Sequence, residues 1–402
     1  MKQVTALRAV LGAQFFTSLA DNALLIVAIG LLVERAAPAW MTPALRISLY
    51  LAYVLLAPIA GALADALPKG RVMLLTNLAK LGACLLLAFD AHPLLAFGAV
   101  GVIGVMYGPA KYGILAELVP AEQLVAANAW IEISTVASII GGTALGALLL
   151  APPYVVASPA HSASLAILFL YALSAAFAAV IPAGAVTARV DREGVRAQAA
   201  GFARAFLLLW RDPDGKISLA VTTLFWAVAA ALQFLVIEWA GAVLGLTLSQ
   251  AALMQCFLAV GMVAGSIAVA RLVATERALA VLPAGLALGA AIVLMTLVNG
   301  RWLACGMLLA AGIVAGIVLV PMNALLQQRG QALMAPGLSI AVQSFNENLA
   351  SLAFLAAYGA LLALAVPVRA ILAGCGVLVV VLMLAIMRWH RAGAARLAAQ
   401  RP

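Results

Sequence analysis

Apolar runs of about twenty residues, parted by short polar breaks, recur along the whole chain and constrain its fold more than any motif does. A helix needs roughly 20 apolar residues to cross the hydrocarbon core of a bilayer. The runs fall at 7–33, 47–66, 72–90, 94–116, 124–150, 162–186, 217–239, 249–271, 278–298, 302–326, 338–363 and 367–388. Hydrophobic residues make up 66% of the chain and charged residues 9%, whereas soluble domains carry about 25% charged residues. Too little polar surface remains to cover a water-soluble core. In lipid each backbone N–H and C=O needs an internal partner, so runs of this length are helices. The pattern predicts an all-α polytopic membrane protein of about twelve transmembrane helices.

One long polar interval, 187–216, breaks the series into six runs and six runs. The expected organisation is a six-helix bundle over 1–186, a linker over 187–216, a second six-helix bundle over 217–390 and a basic tail over 391–402. Within the linker, Gly201-Phe-Ala-Arg-Ala-Phe-Leu-Leu-Leu-Trp210-Arg211 mixes apolar and basic residues as an amphipathic helix on a membrane surface does. Such a helix is either a tether between bundles or a docking site for a partner.

The net charge of +9 and pI near 9.8 do not indicate nucleic acid. With the N-terminus inside, Lys69, Arg71, Arg189, Arg204, Arg271, Arg329 and Arg388 gather on one side, and Arg35, Arg46, Arg301 and Arg369 on the other. Cytoplasmic loops carry the excess of lysine and arginine, so both termini and the linker are expected to face the cytoplasm and the lipid bilayer's anionic headgroups. Lys2 and Arg8 precede an apolar run too long for a signal peptide and interrupted by Asp21, which predicts a retained first span.

Chemistry other than transport finds little support. Histidine occurs only at 92, 161 and 390, and no nucleophile elbow, phosphate-cradling loop or zinc spacing is present. Cys84, Cys256, Cys305 and Cys375 lie on different apolar runs without metal-ligand spacing. No catalytic set, cofactor or metal is expected.

The informative residues are the polar ones inside the spans. Asp21 sits midway along the first run, and a charge there costs on the order of 3 kcal/mol or more. Gln14, Ser18 and Asp21 fall at i, i+4 and i+7, one polar stripe flanked by Thr17 and Asn22. The stripe must face a cavity or another helix. In the fourth run Gly104, Tyr107, Gly108 and Lys111 share a face, and Pro109 is placed to bend the helix and free a carbonyl. Gln233 and Glu238 occupy the seventh run, and Glu347 lies between Asn346 and Asn348 in the eleventh. Asp21 and Lys111 are read either as a buried ion pair closing the bundle or as opposite poles for one zwitterionic substrate. Lys80 and Glu132 are assigned to packing or helix-end roles.

The halves echo one another. Pro109-Ala-Lys111 answers Pro321-Met-Asn323, and Asn128-x-x-x-Glu132 answers Gln343-x-x-x-Glu347. Two six-helix halves in parallel repeat build one large transporter class. Glycine pairs at four-residue spacing, among them Gly142 and Gly146, Gly261 and Gly265, and Gly312 and Gly316, suit close helix packing.

After the second run, Gly61-Ala-Leu63-Ala-Asp65-Ala-Leu-Pro-Lys69-Gly70-Arg71 resembles the loop signature of the major facilitator superfamily, with a proline added and a longer spacing after Asp65. Asp65 is expected to face the positive N-terminus of the eleventh helix, and Arg71 to pair with Glu117, as a cytoplasmic gate. A solvated loop is the alternative.

Taken jointly, Gln14-Phe-Phe-x-x-x-x-Asp21-Asn22-Ala-Leu-Leu, Ala64-Asp65-x-x-x-Lys69-Gly70-Arg71, Pro109-Ala-Lys111-Tyr-Gly-Ile-Leu-x-Glu117 and Gln343-x-x-x-Glu347-Asn348 resemble the bacterial lysophospholipid transporter family, LplT, over nearly the whole chain. The resemblance implies a major facilitator-type fold. It implies a lysophospholipid substrate, chiefly lysophosphatidylethanolamine or lysophosphatidylglycerol, carried across the bacterial inner membrane. It also implies a separate acyltransferase/acyl-carrier-protein synthetase as partner. It assigns headgroup contact to Asp21 and Lys111, within a candidate set that includes Gln14, Ser18, Asn22, Tyr107, Gln233, Asn346 and Glu347. Where the family pattern leads one to expect an arginine, this chain has Gln233. A proton-coupled exporter with Asp21 as titrating group, and a membrane scaffold that recruits an acyltransferase through 187–216, stay open beside this reading.

Overall fold

Fourteen helices account for nearly all of the described residues, 2–38, 40–150, 159–182 and 195–399, of the computed structural model. They are α1 Lys2–Glu34, α2 Met41–Ala66, α3 Lys69–Ala88, α4 Pro93–Gly104, α5 Tyr107–Leu118, α6 Leu124–Leu149, α7 Pro159–Val180, α8 Val195–Arg211, α9 Pro213–Leu244, α10 Leu248–Leu272, α11 Leu282–Met295, α12 Arg301–Leu333, α13 Pro336–Ala363 and α14 Val368–Ala399. Eleven stretches among the described residues are long and apolar enough to cross a membrane. The expected span at 338–363 is helical throughout as α13 but is not among those eleven. It is the run that carries Gln343, Asn346, Glu347 and Asn348.

The fourth run is two helices, not one. α4 ends at Gly104 and α5 begins at Tyr107, with Val105 and Met106 in a turn between. Pro109 has no N–H, so the Val105 carbonyl loses its i+4 donor. The Tyr53 hydroxyl donates across to the Gly104 carbonyl at 3.3 Å, satisfying one acceptor beside the break. Pro321 leaves α12 continuous.

The chain divides into two compact units. One comprises Met1–Pro120, Ser134–Ala205 and Met334–Phe345, the other Ala121–Ile133, Phe206–Leu333 and Asn346–Pro402. The division cuts α6, α8 and α13.

In the first unit α1 and α3 both pack on α7, and α2 and α3 pack on α4. The core joins Leu24, Val27 and Leu31 of α1 to Leu45, Cys84, Leu87, Phe97, Ile167 and Tyr171. Gly142 and Gly146 lie against α1, where a side chain at either would meet the Leu19 or Ala23 carbonyl. Small residues here let the backbones approach closely. Phe202 and Ala205 of α8 are buried in this unit with Arg204 exposed, and Leu209 continues the buried stripe in the second unit with Arg211 exposed. The interval expected to be amphipathic is therefore a helix from Val195. Residues 183–194, with Arg189 and Arg192, lie outside the described residues.

In the second unit α10 and α12 form a reciprocal glycine seam. A methyl on Gly261 or Gly265 would strike the Leu309 or Ile313 carbonyl, and one on Gly312 or Gly316 the Leu258 or Met262 carbonyl. α9 packs on α12 and α14, and α11 on α14. At the start of α9, Asp212 caps the helix by accepting from Gly215 N–H at 2.8 Å and receives both Nε and Nη2 of Arg329.

Candidate functional site

Asp21 is built into the site by three helices. α1 brings Asp21 and Thr17, α3 brings Lys80, and α7 brings Tyr171. Lys80 Nζ lies 2.9 Å from Asp21 Oδ1 and 2.7 Å from Oδ2. The Tyr171 hydroxyl donates to Asp21 Oδ1 at 2.7 Å, and Lys80 also reaches Thr17 Oγ1 at 3.3 Å. Lys80 is 3% exposed, while the Asp21 side chain is 36% exposed. The cation is thus sealed and the carboxylate keeps an open side. Lys80 Nζ also stands 5.5 Å from the Tyr107 ring centroid and 5.9 Å from that of Tyr171, distances at which a cation is attracted to a ring face. The Tyr107 hydroxyl and the Asn77 side chain are buried beside each other at this cluster.

Of the two readings of Asp21 with Lys111, the closed ion pair is not formed. The partner of Asp21 is Lys80, which was assigned to packing, and not Lys111. One apolar helix with a single charge does not reveal which neighbour that charge will meet. Lys111 is buried on α5 with its Nζ 4.1 Å from the Tyr112 ring centroid. Tyr107, expected on the face of Lys111, lies with its ring against Lys80 of the Asp21 cluster. Gln14 donates to Thr135 Oγ1 at 2.9 Å, and Asn22 turns back to the Ser18 carbonyl at 2.8 Å. The polar stripe of α1 is therefore spread among several contacts. Tyr171 had no signal beyond its place in an apolar run.

Gln233 is exposed on α9, and its carbonyl accepts from Gln255 Nε2 at 2.7 Å. Asn346 is buried and Glu347 partly buried on α13. Both belong to the second unit with Gln233, whereas Asp21 belongs to the first.

The loop after α2 forms a second cluster in the first unit. Asp65, 1% exposed, accepts from Gly337 N–H and Leu338 N–H, each at 2.7 Å. These are the first orphan donors of α13, so Asp65 caps that helix from a distance of 272 residues. Pro336 opens the helix. Gly337 is required there, because a Cβ would lie 2.8 Å from Asp65 Oδ1. The expected facing of Asp65 to this helix start is met. The expected pair of Arg71 with Glu117 is not: Lys69 Nζ takes Glu117 Oε1 at 2.6 Å and lies 4.0 Å from Asp65 Oδ1. Lys69 is fully buried, its stem passing over Gly113, and Arg71 is exposed. Lys69 opens α3 directly after the extended residues Leu67 and Pro68, which turn the chain back so that its ammonium reaches both carboxylates. Arg71 is rotated away. In the second unit, Asn128 and Gln327 exchange side-chain hydrogen bonds at 3.0 and 2.7 Å.

The family model described as Major Facilitator Superfamily matches residues 10–346. The lysophospholipid transporter LplT of Yersinia enterocolitica is 38% identical over 364 residues, which is 90% of this chain and 88% of that protein. The protein of the same name from Yersinia pestis is 37% identical over the same shares. Among solved structures, the transporter FucP in its outward conformation superposes with a TM-score of 0.76 at 14% identity, covering 97% of this chain and 99% of that one. The human organic anion transporter MFSD10 (TETRAN) superposes at 0.75 with 20% identity, covering 96% and 99%. These structures share the fold.

Proposed function

The chain belongs to the bacterial lysophospholipid transporter family of the Major Facilitator Superfamily, and from that premise we propose that it carries lysophosphatidylethanolamine and lysophosphatidylglycerol across the bacterial inner membrane by alternating access. Both termini face the cytoplasm in this reading, as the lysine and arginine distribution favours. The lysolipid arrives at the cytoplasmic face, where a separate acyltransferase/acyl-carrier-protein synthetase restores the missing acyl chain.

The observation that carries the reading is the half-open Asp21–Lys80 pair. The zwitterionic headgroup of lysophosphatidylethanolamine bears an ammonium and a phosphate, the complements of these two groups, whereas lysophosphatidylglycerol offers its phosphate to Lys80 alone. The substrate ammonium reaches the open side of the Asp21 carboxylate. Lys80, released in part from Asp21, turns toward the phosphate. One ion pair is exchanged for two, so no bare charge is left inside the membrane. Gln14, Ser18, Asn22 and Tyr107 line the approach, and Lys111 supplies a further cation. Gln233, Asn346 and Glu347 belong to the same candidate set of headgroup contacts. Asp65, with Lys69 and Glu117, acts as the gate.

Labelled lysophosphatidylethanolamine flipping by purified protein in vesicles tests this. Movement without an ion gradient is expected. Flipping that appears only under a pH gradient would favour the second reading, a proton-coupled exporter, which the carboxylate of Asp21 inside a span supports. No flipping under either condition overturns the transport reading.

A further inference from the structure

A lipid-facing cleft lies in the first unit, between α2 and α3. α2 and α3 each pack on α4 but scarcely on one another. Between them opens a cavity of about 360 Å³. Its walls are Leu56 and Ala60 of α2, Leu75 and Ala79 of α3, and Val102 and Met106 at the α4–α5 break. Leu75 is 56% and Val102 50% exposed, so the cleft opens toward surrounding lipid. Its hydroxyl, Thr76 Oγ1, bonds back to the Val72 and Met73 carbonyls and leaves the wall apolar. The cleft ends at Leu67 and Val72, which flank Pro68-Lys69-Gly70-Arg71.

At that end stands an exposed cation with no ion pair. Lys69 has taken Glu117, and Arg71 makes no salt bridge among the described residues. Arg71 precedes Leu75 by four residues, which places it one turn below Leu75 on the same edge of α3. A narrow apolar cleft with an unpaired guanidinium at its mouth is complementary to one acyl chain that ends in a phosphate. Guanidinium binds phosphate in a planar, two-pronged geometry.

We infer that the α2–α3 cleft is a release site for the transported lysophospholipid, its single acyl chain seated between Leu56, Leu75 and Val102 and its phosphate on Arg71. This rests on the transport reading above and adds to it a place on the protein surface where the product waits at the membrane face. One chain fills the cleft, whereas a diacyl lipid must leave its second chain outside.

Photolabelling tests the site directly. Purified protein in vesicles is exposed to lysophosphatidylethanolamine carrying a diazirine at the chain terminus, and labelled peptides are mapped. Saturable labelling of residues 67–79 is expected, displaced by unlabelled lysolipid but not by an equal amount of diacyl phosphatidylethanolamine. R71Q should weaken this labelling about tenfold, the scale of one lost hydrogen bond to a charged group. It should not weaken labelling by a monoacylglycerol of the same chain. Filling the cleft with A79F should weaken both probes. L78F, on the exposed side of α3 outside the cleft, should weaken neither and controls for folding. Labelling that does not saturate, or that diacyl lipid displaces equally, overturns the inference and marks an ordinary bilayer contact. So does an R71Q effect that is the same for both probes. Flipping is measured separately: a wild type that flips lysolipid without labelling the cleft sinks the release site alone, and one that flips nothing sinks the transport reading.

Discussion

Lys80 Nζ sits within 2.9 Å of both carboxylate oxygens of Asp21, across 59 residues of sequence. The two partners differ in what they lose when the pair is broken, because Lys80 is sealed and Asp21 is not. Asp21→Asn leaves a buried ammonium with an amide oxygen, Thr17 and two rings but no counter-charge. The expected cost is about 3 kcal/mol in thermal unfolding of the detergent-solubilised protein, with protein still reaching the membrane and lysolipid uptake by spheroplasts impaired. The double change Asp21→Asn, Lys80→Met should regain most of that stability without regaining transport. Unchanged uptake in Asp21→Asn would remove Asp21 from the headgroup site.

Asp65 supplies the cap that Ala335 cannot. Asp65→Asn keeps the shape but removes the charge that faces the α13 N-terminus. A loss of about 1–2 kcal/mol is expected. Hydrogen exchange should locate it: the amides of Gly337 and Leu338 should exchange faster, while those of α11 stay as they were. Uniform acceleration along the chain would contradict a local cap.

The Asp212 carboxyl titrates in a way that the pair with Arg329 dictates. Burial pushes its pKa up, but the Arg329 hydrogen bonds and the Gly215 amide outweigh this and hold it below the ordinary carboxylate value. Its contribution to stability is therefore present above the unfolded carboxylate pKa of about 3.9. It is lost as pH falls through the lower folded value. The Tm gap between wild type and Asp212→Asn should be constant from about pH 7 to about pH 5 and close only below about pH 4. A gap that closes near neutrality would refute the assignment.

The glycine seam between α10 and α12 leaves no room for a side chain. Gly312→Leu should destabilise by about 1–3 kcal/mol or more through overpacking, read as a lowered Tm. The same change at Gly306, where a Cβ would meet nothing within 4 Å, should be nearly silent.

The all-helical, membrane-spanning character and the polar stripe of α1 are legible in the sequence because both follow from periodicity and the cost of charge in lipid. Asp65 opposite α13 is legible for a related reason: a carboxylate near a helix start has few better places to go. Azimuth is what the sequence conceals. Lys69 and Arg71 carry the same charge two residues apart, and only their rotation about α3 decides which one meets Glu117. Lys80 was hidden in the same way, one cation on an apolar helix whose facing neighbour depends on packing. The break at Val105–Met106 was half legible, since Pro109 announces a bend without saying how far the helix is interrupted.

The distance in sequence between Asp21 and its partners has a consequence for biosynthesis. α1 leaves the ribosome before α3, and Lys80 follows Asp21 by 59 residues; at roughly 5–20 residues per second this is an interval of seconds. Tyr171 follows 150 residues after Asp21. Until then the first span carries an unanswered charge and is a poor substrate for release into lipid. Nascent α1 is expected to linger at the insertion machinery until α3 emerges. Chains truncated before Lys80 should remain crosslinkable to that machinery, and Asp21→Leu should free them.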